Sequence, residues 1–273
     1  MGVKPGDTIQ LMADLKRMAW NARRAGQRFN PAALLDAFLQ ATGSNGNVLV
    51  STFNFDLRDG DTFDVRSTPS ISGALAQAAL QHPAFQRTAH ALHSFAVAGA
   101  DALELVSRQE DGSFGVDSTF ALLHQRSGIL IAFDMPLNDA LTFTHYVEER
   151  IGVTYRAHTP VRVHYTGHDG SKGQRSFTTY AKHFGHHMDL APLEPLLERA
   201  GALQRGEVDG SRFIRVDLSR AYEVIAHDIR NNDARSIHTF SWRLWLRDHT
   251  KNVLRTFGFR TRQERTAHAA RTA

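Results

Sequence analysis

Three stretches of this chain carry unbroken apolar runs: VLV within residues 47–53 (NVLVSTF), FAVAG within 93–99 (HSFAVAG) and GILIAF over 128–133. A strand with one wet face alternates apolar with polar residues, so an unbroken run marks a strand covered on both faces. Segments of helical character separate these runs. Asn30 and Pro31 give an N-cap and a first-turn proline for AALLDAFLQ, the arrangement that starts a helix. Residues 67–70 (STPS) offer hydroxyl caps ahead of the small-residue run GALAQAAL, residues 100–108 and 118–126 read as helices, and a further helix carries His145. From Val161 the period changes to two: residues 161–166 (VRVHYT) and 175–184 (RSFTTYAKHF) predict an antiparallel hairpin turning at 168–173. A helix over 190–201, a strand over 211–218, a helix over 219–231 and helical character to Phe257 follow. Strands alternating with helices predict one α/β domain over residues 1–257, with an antiparallel insertion near 157–187 and a basic tail over 258–273.

Composition narrows the classes of function. With 42% hydrophobic and 22% charged residues in 273, the chain can bury a substantial core. It has no cysteine, which excludes disulfides, thiolate metal sites and cysteine nucleophiles. No apolar leader or membrane-length run is visible, so a soluble, cytoplasmic protein with no membrane partner is expected. The net charge of +4 is local: residues 243–273 hold eight Arg or Lys against two acids, which is +6 and leaves −2 for the rest.

The stretch at 142–156 (TFTHYVEERIGVTYR) holds the pair with the most chemical content. His145 and Glu148 are three apart, which on a helix brings their Cβ atoms to roughly 5–6 Å. A carboxylate on one imidazole nitrogen leaves the other free as a general base. An exposed helical pair would have the same spacing. A second cluster contains Arg66, Thr68 and Ser70, then Arg87, Thr88, His90, His93 and Ser94, between residues 63 and 99. Arginines and hydroxyls at a helix start can hold phosphates, although capping alone accounts for the hydroxyls. His183, His186 and His187 lack a convincing fourth ligand, so no metal is expected. There is no GxxxxGK loop, no GxGxxG after a strand and no GxSxG elbow. The basic end could grip RNA or acidic lipid, with a solvated helix end as the simpler reading; nucleic acid is not favoured as a partner.

Taken in order, FDVRSTPS, RTAHALHSFAVAG, DGSFGVDSTFALLH and TFTHYVEERIGVTYR resemble the aminoglycoside 3-N-acetyltransferase family, and within it the members linked to bacterial surface-sugar biosynthesis. The resemblance implies an α/β domain with a mixed, antiparallel-rich central sheet flanked by helices, and an acyl-coenzyme A donor such as acetyl-CoA. It implies an acceptor amine on a sugar ring. His145 and Glu148 fall on the family's catalytic pair. Arg66, Thr68, Ser70, Arg87, Thr88, His90, His93 and Ser94 fall where the donor cleft is expected, and Asp14, Tyr155 and Arg156 where the acceptor is. Three positions depart from the family pattern: Met12-Ala13-Asp14-Leu15 stands for His-Ser-Ser-Leu, Ala91 for proline and Leu141 for asparagine. In the implied reaction His145, oriented by Glu148, takes a proton as the amine attacks the thioester directly. A backbone N–H, or a hydroxyl such as Thr88 or Ser94, stabilises the oxyanion, and Arg66 or Arg87 meets the coenzyme phosphates.

Three readings follow. The first is an N-acyltransferase acting on amino sugars of a surface glycan or sugar metabolism, since residues after Arg156 are rich in Arg, Lys and His and thin in acids. The second is aminoglycoside 3-N-acetylation, and the third a non-catalytic relative binding nucleic acid or protein through its basic end. A homodimer is the base-rate expectation.

Overall fold

The computed structural model describes residues 1–256. The first half of the chain runs β1 (Thr8–Ala13), α1 (Lys16–Arg24), α2 (Pro31–Thr42), β2 (Asn47–Ser51), β3 (Thr62–Asp64), α3 (Ala74–Gln81), β4 (Gln86–Arg87), β5 (Phe95–Gly99), α4 (Ala102–Ser107), α5 (Thr119–Gln125) and β6 (Ile129–Phe133). It continues with α6 (Leu137–Ala140), α7 (Phe143–Ile151), β7 (Arg156–Thr166), β8 (Lys172–Lys182), β9 (His186–Met188), α8 (Glu194–Arg199), β10 (Leu203–Val208), β11 (Ser211–Asp217), α9 (Leu218–Asn232), β12 (His238–Phe240) and α10 (Trp242–Thr256).

The central sheet has the order β10-β11-β6-β1-β2-β5-β4. Only β1 with β2 and β1 with β6 pair in parallel, and the other neighbours are antiparallel. The sheet is therefore mixed and antiparallel-rich. Its strands divide their side chains between two cores, which explains the unbroken apolar runs. Leu49, Phe95, Val97, Leu130 and Ala132 join one core together with buried residues of α5, α7 and α9. Val48, Val50, Ala96, Ala98, Ile129, Ile131 and Phe133 join the other with α2 and α3. Each strand is thus buried on both faces, the condition that removes the period-two signal.

The predicted hairpin is present and longer than its pattern. Strands β7 and β8 pair from Arg156–Lys182 to Thr166–Lys172, and β3 adds in parallel on the other edge of β7. They form a separate three-stranded sheet over a small core of Phe63, Val65, Leu92, Val163 and Phe177. Three expectations change. Residues 67–70 do not cap α3, which starts after Gly73. Thr68 Oγ1 instead accepts the Asp64 N–H, and Ser70 Oγ accepts from the Ser72 N–H and donates to the Phe53 carbonyl. Strand β10 has no counterpart in the sequence reading, because its burial pattern is almost wholly exposed. The short β9 and β12 pair with each other where loop and helix were expected. The basic tail over 258–273 lies outside the described residues.

Candidate active site

Helix α7 carries the His145–Glu148 pair between two chain reversals. Leu141 and Phe143 bury its start in the core. Gly152 closes it with φ +84°, a left-handed conformation that glycine adopts without strain. The chain then turns back so that Tyr155 and Arg156 pass beneath the helix. His145 Nδ1 lies 2.7 Å from Glu148 Oε2, and the Tyr155 hydroxyl donates to Glu148 Oε1 at 2.8 Å. Arg156 Nε makes an ion pair with Oε2 at 2.7 Å, while its Nη1 donates to the Tyr180 carbonyl at 3.0 Å. The Glu148 side chain is 0% exposed and that of His145 is 18% exposed.

This environment sets both protonation states. Burial pushes the Glu148 carboxyl up, but the His145 hydrogen bond and charge, then Arg156 and Tyr155, outweigh it and hold the group below its usual range. It is an ionised acceptor, so His145 Nδ1 carries the proton and donates it. Burial, followed by the Arg156 charge, lowers the pKa of His145 against the opposing pull of Glu148. The imidazole is neutral near pH 7, and Nε2 keeps its lone pair.

His145 opens into a cleft of about 1100 Å³, whose lining includes Met12, Asp14, Lys16, Phe53, Ser72, His93, Phe114, Asp139, Arg156, Lys182 and His187. A pocket for a single drug-sized ligand has roughly 300–1,000 Å³, so this one lies at the upper end of that scale. Its walls come from the end of β1, the loop before α3, the segment before β5, helix α7 and the β7–β8 hairpin.

The structure distributes the other sequence-derived candidates unequally. Asp14, His93 and Arg156 line the cleft. Tyr155 does not; its hydroxyl is committed to Glu148, which places it behind the His145–Glu148 pair and away from the cleft. Arg87 is only 4% exposed, and it donates to Ser94 Oγ, to the carbonyls of Thr68 and Thr52 and to Asn54 Oδ1. Burial pulls its pKa down to about 10. Its guanidinium ties three loop segments together and spends these hydrogen bonds on the protein itself. Thr88 Oγ1 accepts the Phe95 N–H and Ser94 bonds Thr52, both at 0% exposure. Arg66 pairs with Asp64 on a separate cavity of about 230 Å³ shared with Arg87 and His168. Thr68 and Ser70 hold the loop before α3, and Ser72 and Gly73 beyond them reach the cleft. Burial takes the His90 pKa down to about 3, and its Nδ1 accepts the N–H groups of Leu92 and His93.

Sequence reasoning passed over Ser113, Phe114, Phe53, Lys16 and Lys182. The segment DGSFGVDSTFALLH entered as part of the family resemblance, with no role given to its residues, yet Ser113 Oγ sits 2.8 Å from His93 Nδ1 and Phe114 packs between His93 and His145. Lysines 16 and 182 are cations at the cleft. The histidines of HFGHH diverge: His187 lines the cleft while His186 stacks on Tyr155. No group of metal-binding side chains is found among the described residues, and no described helix is long and apolar enough to cross a membrane.

Known proteins place this geometry. Among solved structures, the aminoglycoside acetyltransferase AAC(3)-Xa superposes with a TM-score of 0.70 at 20% identity, covering 84% of this chain and 88% of that one. AAC-IIIb in its binary complex with CoASH gives 0.68 at 18% identity, covering 85% and 92%, and the YokD protein from Bacillus subtilis gives 0.66 at 15%, covering 86% and 90%. At these identities the likeness concerns the fold. No curated protein matches the chain in sequence. The profile of the aminoglycoside 3-N-acetyltransferase family matches residues 13–229, from the end of β1 through most of α9. The chain therefore belongs to the aminoglycoside 3-N-acetyltransferase family and is an acyl-CoA-dependent N-acyltransferase.

Proposed function

We propose that the protein transfers an acetyl or short acyl group from coenzyme A to the amine of an amino sugar, by direct attack assisted by His145. The observation that carries this reading is the His145 Nδ1–Glu148 bond of 2.7 Å, which leaves Nε2 facing a cleft of about 1100 Å³. Protonated amines do not attack thioesters. Nε2 takes the proton as the C–N bond forms, and Glu148 stabilises the imidazolium that results. Such proton transfer contributes typically ~10²–10⁴-fold, with much of the remainder from alignment of two bound substrates. Lys16 and Lys182 supply positive charge for a phosphate-bearing donor at the cleft.

The charges around the cleft support an acceptor of modest positive charge, such as a precursor in surface-glycan or sugar metabolism. The lining carboxylates are Asp14, paired with Lys16 at 3.1 Å, and Asp139, against Lys182 and an Arg156 whose charge is matched by Glu148. A site specialised for polycations would present clustered, unpaired acids. Acetylation of aminoglycosides is the second reading, favoured by the family match and by the sisomicin-bound relative AAC-VIa.

Thiol release from acetyl-CoA, measured with a panel of aminoglycosides and of free and nucleotide-linked amino sugars, separates the two. Turnover confined to amino sugars supports the first reading. Turnover on several 2-deoxystreptamine antibiotics establishes the second and overturns the inference from cleft charge.

A further inference from the structure

A second histidine faces the cleft with the opposite hydrogen-bond polarity. His90 Nδ1 accepts the backbone N–H groups of Leu92 and His93, at 3.2 and 3.1 Å, so its single proton is on Nε2. That Nε2–H is shared between Ser113 Oγ, 3.4 Å away, and the backbone of Asp111. The serine proton is then directed to His93 Nδ1, 2.8 Å away. With Nδ1 accepting, the neutral His93 ring carries its own proton on Nε2. Ser113 is held for this task, since the β8 strand pins its loop through Ser113 N–H to the Thr178 carbonyl at 2.8 Å and Thr178 N–H to Asp111 at 2.7 Å.

The ring of His93 lines the cleft beside His145, and Phe114 packs against both imidazoles, at 4.9 and 5.5 Å between ring centroids. Its Nε2 is engaged by no partner among the described residues and is not among the buried orphaned atoms. The hydroxyls of Thr88 and Ser94 are 0% exposed and already bonded, so neither can reach a substrate. Burial keeps His93 neutral, so it can give a hydrogen bond without giving up a proton.

We propose that His93 is a catalytic residue whose Nε2–H donates to the carbonyl oxygen of the bound thioester and holds the oxyanion formed there. The proposal rests on the acyl-transfer reading above. The amine lone pair forms the C–N bond, the carbonyl π pair moves onto oxygen under the His93 N–H, and the amine proton passes to His145 Nε2. Collapse restores C=O and breaks C–S, and the sulfur leaves with the proton returned by His145, giving amide and free thiol. A fixed donor aimed at the position of developing charge needs no rearrangement as the reaction proceeds.

The direct test is the infrared carbonyl stretch of acetyl-CoA, carbon-13 labelled at the carbonyl and bound to the full protein without acceptor. The expected result is a band displaced to lower frequency in the parent, returned to its solution position in His93→Leu and displaced again in His93→Gln, whose amide N–H reaches a similar point. His93→Phe, which keeps a ring against Phe53 and Phe114 but has no N–H, should lose the displacement too and serves if the leucine variant does not fold. With an acceptor found, His93→Leu should lower kcat by roughly 10²–10³-fold, the usual effect of removing one oxyanion donor, with KM for acetyl-CoA changing far less. An undisplaced band in the parent, or an equal displacement in His93→Leu, overturns the proposal, as does a rise in KM with kcat unchanged. Failure of the amino-sugar reading looks different: no amine in the panel is acetylated while the band remains displaced in the parent and not in His93→Leu.

Discussion

His145 and His93 sit on the same cleft, both desolvated and neutral, yet they offer opposite functions to a substrate. Behind His145 stands an ionised carboxylate that demands a proton on Nδ1, so Nε2 presents a lone pair. Behind His93 stands a serine whose own proton is directed outward by His90, so Nε2 presents an N–H. The residue type is the same, and the partner on the far nitrogen decides between base and donor. Two buried glutamates differ for the same reason. Glu148 is engaged by His145, Tyr155 and Arg156 and stays ionised. Glu110 is 5% exposed with a single side-chain partner, the Thr119 hydroxyl at 2.8 Å, and desolvation pushes its pKa up to about 7.

Removing the base should have the largest effect. His145→Ala is expected to lower kcat by roughly 10²–10⁴-fold while coenzyme A affinity, followed by calorimetry, barely moves. Equal loss of turnover and of binding would make His145 a structural residue and dissolve the contrast with His93. Glu148→Gln should cost less, since an amide oxygen still accepts from Nδ1, and it should also move the pH profile. His145 works only when neutral, so kcat is lost as pH falls through its pKa, which lies below 6.5 in the parent. The Glu148 hydrogen bond and charge raise that pKa, so the amide must move the acidic limb further toward acid. A limb displaced toward neutral pH would contradict the assignment of Glu148 as the group that supports the imidazolium.

Much of this contrast was visible in the chain before folding, and the remainder was not, for identifiable reasons. The i,i+3 spacing of His145 and Glu148 is a local property of a helix, so it survived intact into the structure. The doubly buried strands were readable because covering both faces erases alternation. Donor-cleft residues fared differently: Arg87, Thr88 and Ser94 share a segment with His93, but β4 and β5 pair across that segment, and the loop between turns three of them inward and one outward. No local pattern encodes such a division. Ser113 escaped notice because its role depends on a loop pinned to β8, about sixty-five residues further along the chain. Strand β10 was invisible because an exposed edge strand has no apolar period. The roles of Lys16 and Lys182 emerge only when the end of β1 and the end of β8 meet at one cleft.

Tyr155→Phe tests whether the phenol behind Glu148 matters to the base. It leaves one carboxylate oxygen without its donor inside the protein, which costs about 1–3 kcal/mol for a buried charged group. The expected result is a roughly several-fold fall in kcat and a lower melting temperature, with KM for the acceptor unchanged. A selective rise in acceptor KM would restore Tyr155 to the substrate side of the site.

The smallest effect concerns the glutamate that has too few partners. Because the folded pKa of Glu110 is raised to about 7 from 4.5, the native state holds a proton that the unfolded chain releases between those values. Stability from this group is full below pH 4.5 and declines as pH rises through 7. The loss amounts to something on the order of 3 kcal/mol, an upper figure that relaxation of the loop will reduce. Glu110→Gln keeps an acceptor for Thr119 and cannot ionise. Its denaturation midpoint should match the parent below pH 4.5 and exceed it at pH 8, with no effect on the acidic limb of catalysis. If the parent is instead the more stable of the two at pH 8, Glu110 is ionised and stabilising, and the distinction between the two buried carboxylates is lost. Glu148 admits no such rescue, since its charge is matched by Arg156 on one side and used by His145 on the other.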